Sequence, residues 1–136
     1  MERIICLAIG YLFGMFQTSY IIGKIHHMDI RQYGSGNAGT TNALRTLGKK
    51  AGAMTLIGDM LKCVIAILIV DAVFKNRYQE ILPLLGMYTA AGCVLGHNFP
   101  FYLGFRGGKG IAASAGMLLA MDWRVFLICA VIFIGL

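Results

Sequence analysis

"IICLAIGYLFGMFQTSYIIG", residues 4–23, carries no formally charged side chain over 20 positions. At roughly 1.5 Å of rise per helical residue, a run of that length crosses the hydrocarbon of a bilayer. The competing reading is a secretory leader. The apolar stretch is too long for a leader's core, and no A-x-A-like cleavage site follows it, so the run reads as a retained membrane helix.

The rest of the chain agrees. Of 136 residues, 58% are hydrophobic and only 13% charged, with a mean hydropathy of +0.73. Soluble domains carry nearer a quarter charged residues. A second apolar run covers residues 51–74, interrupted by Asp59, Lys62 and Asp71. A third, 81–96, is rich in Gly and Ala, which suits close helix packing in lipid. A fourth, 111–121, is short, and a fifth starts at residue 125 and is still apolar at Leu136. These runs predict an all-α, polytopic membrane protein with about four to five spans. Residues 1–136 read as a single integral membrane domain, and the interrupted fifth span predicts truncation at the C-terminus.

Charge orients the spans. The loop between runs one and two holds Lys24, Arg31, Arg45, Lys49 and Lys50 against Asp29, and the loop between runs three and four holds Arg106 and Lys109. Most of the net charge of +6 lies there. The positive-inside rule places both loops in the cytoplasm and the N-terminus outside. The basic residues form no stripe interleaved with stacking aromatics, so nucleic acid is not an expected partner. Cys6, Cys63, Cys93 and Cys129 stand singly in apolar runs and no histidine is spaced as a metal ligand. Buried reduced thiols, no metal and no cofactor are expected.

"GSGNAG", residues 34–39, matches the dinucleotide fingerprint G-x-G-x-x-G, with Asp59 about 20 positions on. That fingerprint needs a buried strand before it and a packed helix after it. Here "HHMDIRQY" precedes, a short polar segment follows, and Asp59 falls inside a membrane run, so the match fails. "GFRGGKG", residues 104–110, fails as a P-loop: Leu103 replaces the first glycine and Gly110 the magnesium-binding hydroxyl. What survives is the physics of such loops. Glycines let backbone N–H groups converge on an anion, and a lysine or helix start adds positive potential. Two basic loops on one membrane face predict a site for phosphorylated molecules.

"DIRQYGSGNAGTTNALRTLG" (29–48), "GHNFPFYLGFRGGKGIAASAG" (96–116) and "GDMLK" (58–62) resemble signature regions of the bacterial acyl-phosphate:glycerol-3-phosphate acyltransferases, in order and spacing, from about residue 18 to 116. The resemblance implies a multispanning enzyme of the bacterial inner membrane with its glycine loops cytoplasmic. Its reaction would move a fatty acyl group from acyl phosphate to the 1-hydroxyl of glycerol 3-phosphate, giving lysophosphatidate and phosphate for phospholipid synthesis. It also implies that substrate phosphate takes the proton. The family's third signature, an acidic, asparagine-containing loop, does not occur in this sequence. A transporter or phosphate-binding membrane subunit would use the same loops, and is the alternative.

The residues suit acyl transfer. Acyl phosphate carries a good leaving group, so the site must chiefly hold two anions together and neutralise departing phosphate. The H-x-x-x-x-D pair of other acyltransferases is missing: Arg31, Gln32 and Tyr102 stand five positions after His26, His27 and His97. The candidate phosphate contacts are Gly34, Ser35, Gly36, Asn37, Asn42 and Arg45 in the first loop. In the second they are Arg106, Gly107, Gly108, Lys109 and Gly110. Asn42 and Arg45, three apart, share a helical face and are expected to reach one anion. Ser35, Arg45, His97 and Lys109 are the catalytic candidates, with Lys109 the leading phosphate contact. Asp59 and Lys62, three apart in the second run, read either as a structural ion pair or as part of the cavity, with the structural role favoured. His26 and His27 read as interfacial.

Overall fold

The computed structural model describes residues 1–135, which are helical with no strand among them. The helices are α1 (Glu2–Gly14), α2 (Thr18–Ile25), α3 (Thr40–Leu47), α4 (Lys49–Phe74), α5 (Leu82–Asn98), α6 (Ile111–Met121) and α7 (Trp123–Gly135). The expected runs fall on them, with one surprise: the first is broken between Gly14 and Thr18.

Two segments are long and apolar enough to cross a bilayer on those grounds alone, Glu2–Ile25 and Lys49–Phe74, with mean hydropathies of 1.6 and 2.2. The remaining helices are shorter. Their surroundings still fit lipid better than water. Leu68 and Val73 on α4 and Val131 and Phe133 on α7 are all more than half exposed, a wide apolar exterior that a soluble domain would have to cover.

Without a hydrophobic drive between helices in lipid, small residues must let backbones touch. They do so where α1 runs alongside α5, the most extensive helix contact. Gly10 and Gly14 face Thr89 and Cys93, while Gly92 and Gly96 face Leu7 and Tyr11. A Cβ on any of the four would land on a backbone carbonyl opposite. Gly116 of α6 lies in the same way against Met60 of α4. The interior is correspondingly small-residue: Cys63, Ala66, Ala90, Cys93 and Ala113 are fully buried. Cys6, Cys63 and Cys93 are the buried thiols expected, whereas Cys129 is exposed on α7 because that helix has few neighbours.

A single residue, Gly48 at φ +102°, separates α3 from α4. The reversal folds α3 back so that Leu44 packs on Gly52. Both glycine loops thereby come to the end of the bundle where α4 begins and α5 finishes.

Candidate active site

The first loop is built around one side chain. Asn42, fully buried on α3, donates through Nδ2 to the carbonyls of Ile30 (3.3 Å), Tyr33 (3.0 Å) and Asn37 (3.0 Å). Its Oδ1 accepts from the Ser35 amide (3.0 Å) and the Thr46 hydroxyl (3.3 Å). Asn42 is therefore a spoke on which residues 30–37 are wound, and its amide is saturated. The expectation that it shares a substrate face with Arg45 is corrected: Asn42 points inward while Arg45 is exposed.

The second loop folds back on the end of α5. The amides of Gly107 and Gly108 donate to the carbonyls of Asn98 (2.9 Å) and His97 (3.1 Å). A Cβ on Gly107 would collide with the His97 carbonyl, and one on Gly108 with His97 Nε2 and the Ala38 carbonyl. Glycine is needed here for close approach. The amides of Ser35, Gly36, Gly107 and Gly108 serve internal bonds and are not free to meet an anion.

Two helix N-termini replace them. Residues 39–41 at the start of α3 and 110–112 at the start of α6 line one cavity of about 590 Å³. First-turn amides of a helix have no intrahelical partner and carry the positive end of its dipole, so both starts favour an anion between them. Asn37, Asp59, His97 and Lys109 complete the polar wall, and Leu56, Met60, Leu118, Phe126 and Phe133 an apolar flank. The volume suits a small-molecule ligand. A separate depression of about 470 Å³ along Leu12, Phe16, Leu61 and Ile65 is nearly all apolar, with Lys62 the one charged residue in its lining.

The two loops are tied by a residue that sequence reading counted only as orienting charge. Arg31 pairs with Asp29 through Nε (3.0 Å) and Nη2 (2.8 Å), and its Nη1 crosses to the carbonyls of Leu103 (2.7 Å) and Arg106 (3.2 Å). It also lies 5.2 Å from the centre of the Tyr20 ring. The guanidinium fork suits this task because it serves a carboxylate and two carbonyls at once. Its hydrogen bonds hold the Asp29 carboxyl below the usual carboxylate range, against the upward push of partial burial.

Beneath the cavity lies a buried polar cluster. Lys62 Nζ contacts the carbonyls of Gly14 (2.9 Å) and Phe16 (2.8 Å), His97 Nδ1 (2.7 Å) and Asp59 Oδ1 (3.3 Å). The break between α1 and α2 frees carbonyls, and Lys62 takes them up. Gln17, fully buried in that break, donates to the His97 carbonyl at 2.8 Å. Gln17 was missed, though the polar triplet "QTS" inside an apolar run marks it. Of the predicted site residues, Asn37, Asp59, His97, Lys109 and Gly110 line the cavity. Gly34, Gly36, Asn42, Gly107 and Gly108 shape its loops, and Ser35, Arg45 and Arg106 are exposed outside its lining.

Fold and site together define a polytopic helical membrane protein whose cavity, with one polar wall and one apolar flank, is bordered by two glycine loops and two helix starts. Residues 4–136 match the family model described as Glycerol-3-phosphate acyltransferase, and the chain belongs to that family. It is similar to a glycerol-3-phosphate acyltransferase of Clostridioides difficile (strain 630), with 53% identity over 133 residues, covering 96% of this chain and 64% of the relative. The relative in Lactiplantibacillus plantarum is 47% identical, with coverages of 97% and 62%. Among solved structures, PlsY (YgiH), an integral membrane glycerol 3-phosphate acyltransferase, is similar in its glycerol 3-phosphate form. The TM-score is 0.82 and the identity 34%, over 99% of this chain and 65% of that one. Its lysophosphatidic acid form gives a TM-score of 0.79 at 33% identity. The chain thus spans somewhat under two thirds of the length of these proteins.

Proposed function

We propose that the protein transfers a fatty acyl group from acyl phosphate to the 1-hydroxyl of glycerol 3-phosphate, forming lysophosphatidate for phospholipid synthesis. The observation that carries this reading is the meeting of both glycine loops, two helix N-termini and Lys109 around one cavity with an apolar flank. The glycerol 3-phosphate and lysophosphatidic acid forms of the similar PlsY structures support it. So do relatives named for the activity.

In this mechanism Lys109 and the helix starts hold phosphate against the repulsion of two anionic substrates. The substrate hydroxyl attacks the carbonyl carbon of the mixed anhydride, the acyl–oxygen bond to phosphate breaks, and phosphate leaves carrying the hydroxyl proton. No protein base is required. Leu56, Met60 and Phe126 accommodate the start of the acyl chain. Ser35, whose hydroxyl accepts from the Asn37 amide at 3.4 Å, shapes the loop that brings Asn37 to the cavity, and the exposed Arg45 and Arg106 raise the local concentration of anionic substrates. The loops face the cytoplasm and the N-terminus the outside, in the inner membrane of a bacterium.

The test is turnover by the full-length protein in detergent, given acyl phosphate and labelled glycerol 3-phosphate. Labelled lysophosphatidate formed without acyl carrier protein or coenzyme A supports the reading. Binding without turnover supports a transporter or phosphate-binding subunit instead. Lys109→Ala should abolish turnover with the fold intact, and near-normal turnover would remove Lys109 from the mechanism.

A further inference from the structure

His97 is locked from three sides. Its carbonyl accepts from Gln17 Nε2 (2.8 Å) in the α1–α2 break and from the Gly108 amide (3.1 Å), and its Nδ1 lies 2.7 Å from Lys62 Nζ on α4. The residue is 2% exposed, yet it lines the cavity. Among the described residues its Nε2 has no hydrogen-bond partner. Gly108 packs close to that atom, and any Cβ at 108 would collide with it.

An ammonium has protons and no lone pair, so it donates to whatever nitrogen it touches. Nδ1 must then accept, and the single proton of a neutral imidazole sits on Nε2. Resting on the acyltransfer reading above, we propose that Lys62, with Asp59 beside it, is a positioning residue that fixes His97 as the Nε2–H tautomer. His97 then donates a hydrogen bond into the cavity, to a phosphate oxygen of bound substrate. A histidine held this way cannot serve as a general base through Nε2. That agrees with a reaction in which phosphate removes the proton. It also explains an arrangement otherwise wasteful in a membrane, a lysine and an aspartate placed under a histidine rather than at the surface.

The tautomer is read directly from ring nitrogen resonances of full-length protein labelled with nitrogen-15 histidine, without substrate. A bare Nδ1 and a protonated Nε2 are expected, and Lys62→Met should convert the ring to a mixture that Lys62→Arg restores. An Nδ1–H ring in the wild type overturns the proposal whatever the variants do. Activity gives the second arm. His97→Gln places an amide N–H near the Nε2 position and should retain turnover to within about tenfold, whereas His97→Leu should lose about a hundredfold, the scale of one donor to an anion. Equal losses in both variants, as a general base predicts, overturn the proposal, and so does normal kinetics in His97→Leu. A KM raised for glycerol 3-phosphate alone assigns the bond to that phosphate, and one raised for acyl phosphate alone to the donor. If wild type makes no lysophosphatidate, the acyltransfer reading fails, and the ring spectrum still decides the tautomer.

Discussion

Asp29–Arg31 and Asp59–Lys62 are both short-range ion pairs, two and three residues apart in sequence, and they hold the protein together in opposite ways. The first lies between the helices, with side chains 14% and 20% exposed, and uses the donors of arginine to span two segments. The second is buried in α4, with side chains only 3% and 1% exposed, and uses the point charge of lysine to gather acceptors from α1, the α1–α2 break and α5. In water-accessible surroundings a pair contributes little beyond its geometry. In the interior the charges are costly, and each is tolerated because of the other. The loop pair is therefore a clamp that weakens gradually, and the helix pair a structure that fails if half of it is removed.

The largest effect tests that second half. Lys62→Met leaves the Asp59 carboxylate alone inside the bundle and should cost about 3–5 kcal/mol, as for other broken buried pairs. Thermal unfolding of the detergent-solubilised protein measures it. Adding Asp59→Asn should recover most of the loss, since no uncompensated charge then remains. A double variant no better than the single would mean that the carbonyls at the α1–α2 break, and not the carboxylate, are what Lys62 satisfies.

Arg31→Ala comes next, at about 1–2 kcal/mol, because its hydrogen bonds are charge-assisted but partly screened. Turnover should fall by more than stability alone explains, as the two cavity walls lose their tie. Arg31→Lys should rescue little, since an ammonium cannot bridge the Asp29 carboxylate and both carbonyls together. Full rescue would make the clamp a matter of charge alone.

Acid should distinguish the pairs further. Asp29 is held below its ordinary value in the folded protein, chiefly by the Arg31 hydrogen bonds. Its contribution is therefore complete above the unfolded carboxylate pKa and is lost as pH falls through the folded value. In a pH series of unfolding midpoints, Asp29→Asn should flatten the decline below about pH 4, from the unfolded carboxylate value downward. An unchanged slope would move the acid sensitivity elsewhere.

Most of the architecture was legible because it depends on local pattern. Uninterrupted apolar runs, the Gly-rich third segment and the two basic loops each announce themselves within a few turns of sequence. The break at residues 15–17 did not, because a helix stops there only if something receives its carbonyls, and Lys62 lies 46 residues beyond Phe16. The inward bonds of Asn42 and of the Ser35, Gly36, Gly107 and Gly108 amides were illegible for a related reason. A polar group near a glycine loop can face a ligand or its own backbone, and composition is the same in either case. Asn37, His97 and Lys109 line the cavity, the first following Gly36, the second next to the last residue of α5 and the third between two glycines.

The smallest effect separates exposed cations from buried ones. Arg45 is exposed and outside the cavity lining, and it makes no hydrogen bond among the described residues. Arg45→Ala should therefore change stability by less than about 0.5 kcal/mol, as surface substitutions do. If its charge steers anionic substrate, the KM for glycerol 3-phosphate should rise at low ionic strength and the difference should shrink as salt is added, since screening shortens to about 10 Å at 0.1 M. A KM defect that persists undiminished in high salt would instead put Arg45 in direct contact with the phosphate. The exposed cation would then act at short range, like Lys109, and the division between clamp and site would have to be redrawn around α3.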